Sequence, residues 1–525
     1  MINARELSWE WWPTNIQTDT TYGDSLTYFV GIFGVASTGQ YAPFWMQSNQ
    51  NGDISANPFS GNLSAGIFKT NTNHSRWFDY DFGLQISGRL QSPITNSPLE
   101  IQQKIGTGYF NLAYAHVRLF IFDITAGIKP MLYETQDSIL SMGSMIFSSN
   151  SQPLPRITIG IDKYTPFPGC YGYLEIKGGL THAWMVDNVY MRGSFLHHKW
   201  AAVRVGGKWP INISYEFHHA AQWGGISPVH GDIGSGWNDF MNVLTAKAGG
   251  VMKNDQNNAQ GNHVGSQQLM LTAKGNQWEV NAYWQNFFED NFALIGNGQN
   301  LCDGLWGISV KQTKWPFIQG FTYEFLNTTD QSGPWHDRDG LCYAGNDQYY
   351  QNSIFKNGWN YWYRSMGNPF LTSPLYNTDG TPHTLNSRVR VHHFGMRGDI
   401  YGFQYRLKAS YARNYGNDNF NSDMLSDNTA LMLEVKKHVD QAWGLDFGLR
   451  LAADFGSQWG NNFGAQIFPL ERPLQINALC PLARSCLIAV IVLSGVGLIV
   501  FGILLCWAAK IFKDIDKSFE REYPR

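Results

Sequence analysis

Charge is scarce in this chain. Only 15% of its 525 residues are Asp, Glu, Lys or Arg, and the net charge of -3 with scattered Lys and Arg leaves no basic field for nucleic acid. Cysteine is sparse too: Cys170, Cys302 and Cys342 lie far apart, Cys480, Cys486 and Cys506 lie near the C-terminus, and none has CxxC or other metal-ligand spacing. A structural disulfide is open only between Cys302 and Cys342 or with Cys170, and sequence does not decide it. There is no Gly-x-Ser-x-Gly elbow, no His-Glu-x-x-His, no phosphate loop and no nucleophile with a base. The expectation is a non-enzyme without cofactor or catalytic metal.

What the chain has is period two. From about Asp24 to Phe468 it repeats stretches of eight to ten residues that alternate apolar with polar side chains, rich in Gly and aromatics and parted by turn residues. In one, Phe82, Leu84, Ile86 and Gly88 share a face, with Asp81, Gly83, Gln85, Ser87 and Arg89 opposite; Trp278, Val280, Ala282 and Trp284 alternate likewise with Glu279, Asn281, Tyr283 and Gln285. Leu445 to Ala452 and Phe403 to Tyr411 repeat the split. A strand alternates its side chains between faces, so one face meets lipid and the other a wet lumen. A soluble β-sandwich alternates identically, yet 525 residues with 15% aromatics, 54 Gly and 20 Trp are too many for one sandwich, and no linker divides the strand-rich part. The fold expected is all-β, a large antiparallel transmembrane β-barrel over residues 28–468. Its mean hydropathy of -0.28 suits a barrel, because half of each strand faces water. Trp77, Tyr80, Trp184, Trp223, Trp278, Trp284, Trp306 and Trp315 are expected in interfacial girdles.

Two stretches break this rhythm. Asp137 to Phe147 and Gly236 to Ala248 carry helical spacing, with Ile139, Met142 and Ile146 on one face of the first and Phe240, Val243 and Leu244 on one face of the second, which Ser235 or Asn238 would cap. Helical segments near 137–147 and 236–248 are therefore predicted as a plug or lid. Residues 469–485 read as a linker. Cys486 to Ala509 is an uninterrupted apolar run, long enough at about 1.5 Å per residue to cross a bilayer core of about 30 Å. It is expected as an atypical C-terminal transmembrane helix, followed by a charged tail over 510–525. Residues 1–27, with Glu6, Glu10 and Asp19 and no apolar core, read as an N-terminal extension without a signal peptide.

Several segments resemble the capsule assembly (Wzi-type) outer-membrane proteins of Gram-negative bacteria. Gln40-Tyr41-Ala42-Pro43-Phe44-Trp45-Met46-Gln47-Ser48-Asn49-Gln50-Asn51-Gly52 is similar to an early signature of that family. Pro155 to Gly160 with Tyr164-Thr165-Pro166, Leu196 to Lys199 and His218 to Gly225 are similar to its central strands. Tyr323 to Pro334, Asn357 to Tyr361 with Arg364 to Pro369, and Ser410 to Gly416 continue the likeness in family order. The resemblance implies about eighteen strands, a helical plug, a monomeric barrel in the outer membrane and a role in binding capsular polysaccharide at the cell surface. The chain departs from the family pattern at its N-terminus and from about Phe468 onward.

A glycan site needs aromatic faces for sugar CH surfaces and carboxylates, amides or cations for hydroxyls and acidic groups. Gln222 with Trp223, Trp284 followed by Glu289 and Asp290, Asp330, and Trp335, Asp337 and Arg338 sit at expected strand-to-loop junctions and are the candidate site residues. Each also fits ordinary loop composition. In His197-His198 and His218-His219 only one imidazole of each pair can face the lumen, a poor basis for a metal centre. Asp337, Asp339 and Asp347 lack EF-hand spacing. Paired acids such as Glu289 and Asp290 diverge on a strand, which leaves catalysis little support. Three readings stay open: a polysaccharide-binding barrel, which is favoured, a diffusion channel, and an outer-membrane enzyme acting on glycan or lipid. Mixed lumen charge, including Arg89, Arg118, Asp123, Lys129, Glu279, Arg406, Asp446 and Arg450, is expected to tie plug to wall.

Overall fold

The computed structural model describes residues 26–69, 77–94, 96–131, 137–252, 259–289, 300–331, 336–338, 341–344, 348–417, 425–439, 445–470 and 474–475. Eighteen strands form the wall. They are β1 (Leu26–Ser37), β2 (Phe59–Lys69), β3 (Phe78–Gln91), β4 (Gly106–Leu119), β5 (Phe122–Ile128), β6 (Pro155–Pro166), β7 (Leu174–Trp184), β8 (Phe195–Val205) and β9 (Ile211–Trp223). The second half runs β10 (Asn262–Lys274), β11 (Trp278–Phe288), β12 (Gly304–Gln312), β13 (Gly320–Asn327), β14 (Val389–Ile400), β15 (Phe403–Asn414), β16 (Ser426–Val439), β17 (Leu445–Gly456) and β18 (Asn462–Leu470).

Each strand pairs with its sequence neighbours, and β18 returns to β1 through Gly34 opposite Ile467 and Ser37 opposite Gly464. Closure leaves no sheet edge, which matters in hydrocarbon because unpaired backbone groups there have no water to bond. The predicted alternation is realised in β3: Ile86 and Leu90 are 52% and 67% exposed on the outside, while Gln85 and Ser87 are 0% and 1% exposed inside. The two ends differ. Short turns such as Phe120–Ile121 and Tyr401–Gly402 close one end, beside exposed Trp77, Tyr80, Trp209, Trp278 and Trp315. The described parts of the connections over 38–58, 92–105, 129–154, 224–261 and 328–388 gather at the other.

Chain from three of those long connections fills the lumen. Helix α1 (Phe44–Gln47), the segment 140–154 and residues 349–375 supply Phe44, Trp45, Met46, Met142, Met145, Phe147, Tyr350, Trp359 and Phe370 to one buried cluster with inward wall residues Leu196, Ala220, Leu305, Val389 and Ala430. Burying each such Leu, Met or Phe stabilises by about 1.5–3 kcal/mol relative to exposure. Polar wall groups hold this filling in place; of the lumen charges expected to do so, Arg89 and Arg450 bond the filling, whereas Arg118 pairs with Asp123, Arg406 with Glu434 and Glu279 with Lys274 within the wall. Arg89 Nη1 donates to Gly52 O (3.1 Å), Lys408 Nζ to Ser141 O (3.0 Å) and Arg450 Nη1 to Met46 O (3.3 Å). Glu324 accepts from Ser141 Oγ (2.7 Å) and Met142 N (2.6 Å), and Asp454 from Phe44 N (2.8 Å).

The two predicted helices turn out differently. Residues 137–147 form no helix; Asp137 caps its own turn by accepting from Ile139 N and Leu140 N (3.0 Å each), and the chain then runs irregularly through the lumen. Its apolar side chains from Leu140 to Phe147 are buried by the wall and the rest of the lumen filling, so helical spacing carried no amphipathic meaning there. Among the described residues the further α-helices are α2 (Glu100–Gln103) and α3 (Trp237–Thr245). The N-terminus of α3 is capped by neither Ser235 nor Asn238: Asp239 accepts from Gly236 N (2.9 Å). Nor is it a plug. Its Val243 and Phe240 pack on Ala221, Trp223 and Phe195, residues on the outward face of β8 and β9. The outer wall there offers an apolar seat that the filled lumen does not.

Cys170 and Cys302 are free thiols, so neither is joined to the other or to Cys342. No helix among the described residues is long and apolar enough to cross a membrane, a statement that does not bear on strands. The helix predicted over 486–509, the tail over 510–525 and nearly all of the extension and linker lie outside the described residues.

Candidate functional site

At the long-loop end the lumen filling rises into a hairpin, Asn360–Tyr361 paired with Arg364–Ser365. The two residues between are Trp362 and Tyr363, with φ of 51° and 59°. A two-residue hairpin loop with both φ positive is normally built from Asn and Gly, because a Cβ in the left-handed region clashes with the following carbonyl. Two aromatics there store roughly 1–3 kcal/mol of strain each. The surroundings hold the loop: Asp187 accepts from Trp362 N (3.0 Å), Leu375 N donates to Tyr363 O (3.0 Å), and Arg364 donates to Gln47 Oε1, Gln47 O (3.3 Å) and Ile54 O (2.9 Å).

Beside this hairpin lies a small cleft, partly open to solvent and lined by Trp362, Arg364, Arg89, Gln91, Gln102 and Gln152 with Ser55 and Asn57. The β3 wall supplies Arg89 and Gln91, and the loops of the lumen filling supply the rest. Gln91 Nε2 donates to Ile101 O and Lys104 O (2.8 Å each), Asn57 Nδ2 to Gln102 O (2.8 Å), and Gln102 Nε2 to Leu375 O (2.7 Å), which fixes the amides in place. Arg89 lies over the Tyr109 ring, 5.2 Å from its centre. No carboxylate lines the cleft, and two guanidiniums do. Burial pulls the Arg364 guanidinium down to about 10 and pushes the nearby Asp53 carboxyl up. Asp187, beneath Trp362, is pushed up to about 6 by burial. Apart from the cleft lining, the Tyr376 ring packs 5.0 Å from Tyr41 and 5.2 Å from Trp459 between ring centres. The cleft lining offers one aromatic face, that of Trp362, with internally bonded amides and positive charge.

The site residues read from the sequence are elsewhere. Gln222 faces inward and is fully buried, donating to Gly358 O (2.9 Å) and accepting from Asn262 Nδ2 (2.7 Å), a tie between wall and filling. Trp223 faces outward beneath α3, where Phe240 lies 5.7 Å away, so it does not join the girdle expected of it. Trp284 also faces outward, 5.7 Å from Trp306. Glu289 accepts from Tyr350 N (2.8 Å), and Asp330 N donates to Asp303 Oδ1 (3.0 Å). Asp290 and Trp335 lie outside the described residues; Asp337 and Arg338 fall in a short strand whose side chains are not described. None of the five placed residues lines the cleft. Trp362 went unread as a cleft residue although Trp359, Tyr361, Trp362 and Tyr363 crowd five positions; of these Trp362 lines the cleft, and Trp359 and Tyr361 are buried in the lumen cluster.

His198 and His218 face the lumen as a stacked pair with Nε2 and Nδ1 3.2 Å apart, and His197 and His219 face outward, as strand geometry required. Among the described residues, His116, Asp123 and Asp162 bring ligand atoms within 4.8 Å of one another. That set is satisfied by protein: both His116 nitrogens bond carboxylates, of Asp81 and Asp123, and Arg118 occupies Asp123.

No protein-family profile matches the chain, and no curated protein sequence does. Among solved structures, the chain is similar to Wzi of Escherichia coli, an outer-membrane protein involved in group 1 capsule assembly and a carbohydrate-binding β-barrel. The TM-score is 0.54 at 13% identity, covering 86% of this chain and 85% of that one. A BenF-like porin from Pseudomonas fluorescens gives a TM-score of 0.44 at 9% identity, covering 86% and 100%. Pseudomonas aeruginosa OprD gives 0.42 at 11%, covering 86% and 95%.

Proposed function

We propose that this chain is an outer-membrane barrel that binds polysaccharide at the cell surface, in the cleft beside Trp362 and Arg364, and helps capsule assembly. The observation that carries the reading is the strained Trp362–Tyr363 turn, held over a cleft furnished with amides and guanidiniums. Sugars bury CH faces on aromatic rings and hydroxyls on amides, and acidic sugars add carboxylates that guanidiniums bind bidentately. The resemblance to Wzi-type proteins and the likeness of fold to a carbohydrate-binding barrel support it. The long-loop end then faces the cell exterior, as in outer-membrane barrels generally.

Binding without turnover suits this site, since no nucleophile and base meet in it. The porin-like alternative needs an aqueous path, against which stands the lumen filling from α1 to Phe370. Titrating the full chain in detergent with acidic capsular polysaccharide, followed by Trp fluorescence, tests the proposal. Saturable binding that weakens in Trp362→Ala is expected. Absence of binding across acidic and neutral glycans, together with steady ion conductance in planar bilayers, would overturn it.

A further inference from the structure

The outer wall of β13, β14 and β15 carries an unusual vertical order of side chains. At the long-loop end, Arg390 and Arg413 stand directly opposite each other across the β14–β15 pair, both exposed on the outward face. Like charges opposed in a sheet repel. Neither has a carboxylate partner among the described residues: Arg390 donates to Asn327 Oδ1 (3.2 Å) and Thr329 Oγ1 (3.4 Å), and both guanidiniums lie 5.8 Å from the centre of the Tyr415 ring. Asp427 is the register partner of Arg413 on β16, but its Oδ1 accepts from Ser457 N (3.4 Å) and Ser457 Oγ (3.2 Å) and forms no ion pair among the described residues.

One step down the wall stand amphipathic rings. His392 is opposite Tyr411, and the Tyr323 hydroxyl bonds His392 Nδ1 at 2.8 Å. Below them the outward face turns apolar, with Phe394 opposite Ala409 and Met396 opposite Leu407. Cations, then Tyr and His, then hydrocarbon reproduces the profile of half a bilayer, from head group through interface to acyl chains.

We propose that this strip binds a phosphorylated glycolipid of the outer leaflet, its phosphate between Arg390 and Arg413 and its acyl chains along Phe394, Leu407 and Met396. Continuity with the lipid-facing band selects a lipid over free phosphate, because the cation pair sits at the upper border of surface that already faces hydrocarbon. The inference rests on the proposed orientation, with long loops outward, but not on the Trp362 cleft.

The test uses the full chain purified in uncharged detergent. Bisphosphorylated lipid A is expected to raise its melting temperature by several degrees and to appear as a bound adduct in native mass spectra. The dephosphorylated lipid and inorganic phosphate should do neither, and R390Q/R413Q, two exposed positions, should lose the effect while keeping its melting temperature without lipid. An equal shift with dephosphorylated lipid, with phosphate alone or in the double variant overturns the proposal. Polysaccharide titration of the same double variant separates the two sites: retained glycan binding is expected, and a joint loss would make the arginine pair part of a glycan surface instead. Orientation is checked apart from both by protease cleavage of the long loops on intact cells, and cleavage only after the outer membrane is opened overturns it.

Discussion

Trp362 occupies a backbone conformation that its Cβ disfavours, held there by the bond from its N–H to Asp187 (3.0 Å). Replacing it with Gly, which enters the left-handed region freely, should leave the melting temperature unchanged or raised by relief of about 1 kcal/mol or more. The same change should weaken polysaccharide binding about fivefold or more, the equivalent of one lost aromatic contact of about 1 kcal/mol. Calorimetry and fluorescence titration on one preparation read both effects. Asp187, which accepts from Trp362 N, gives the hairpin a pH dependence. Its carboxyl is raised to about 6 in the fold, against about 3.9 when unfolded. A raised carboxyl contributes stability that is full below the unfolded value and is lost as pH rises through the folded one. The hairpin should therefore be cleaved more readily by protease above pH 6 than at pH 4.5 to 5, and Asp187→Asn should flatten that difference.

Strands and helices show which local signals carried through. The alternation in β3 was legible because the two solvents of a barrel wall differ so strongly that each residue declares its side. Adjacent strands also share charges inward: Glu434 on β16 accepts from Arg406 Nη2 on β15 (2.8 Å) and Arg450 Nε on β17 (2.6 Å). Removing one member of a buried charged set leaves the others uncompensated, at about 3–5 kcal/mol. Glu434→Gln should accordingly lower the temperature at which the barrel unfolds in detergent, whereas the isolated turn variant at Trp362 should not. Helical spacing proved a weaker signal. In α3 it described a real amphipathic helix but not its seat, and over 137–147 it described only an irregular segment whose apolar side chains from Leu140 onward are buried in the lumen.

The eighteen described wall strands close around a packed interior. Phe44, Met145, Phe147, Trp359 and Phe370 come from segments far apart in sequence and meet only because the wall encloses them. A barrel that keeps its eighteen strands but has residues 351–384 replaced by a short Gly-Ser linker should pass ions in planar bilayers, while the intact chain should not. Heat-dependent mobility in SDS gels would confirm that the wall of the variant still closes.

The amino-acid sequence by itself determined the wall: period two, Gly and aromatic content and turn residues are local properties, and lipid outside with polar groups inside imposes them on each strand separately. Only the tertiary structure decided the site. The cleft joins Arg89 of β3 to Trp362 and Arg364 of a distant connection, and a surface assembled from loops that fold into a lumen leaves no periodic trace, because no repeating solvent boundary acts along those loops.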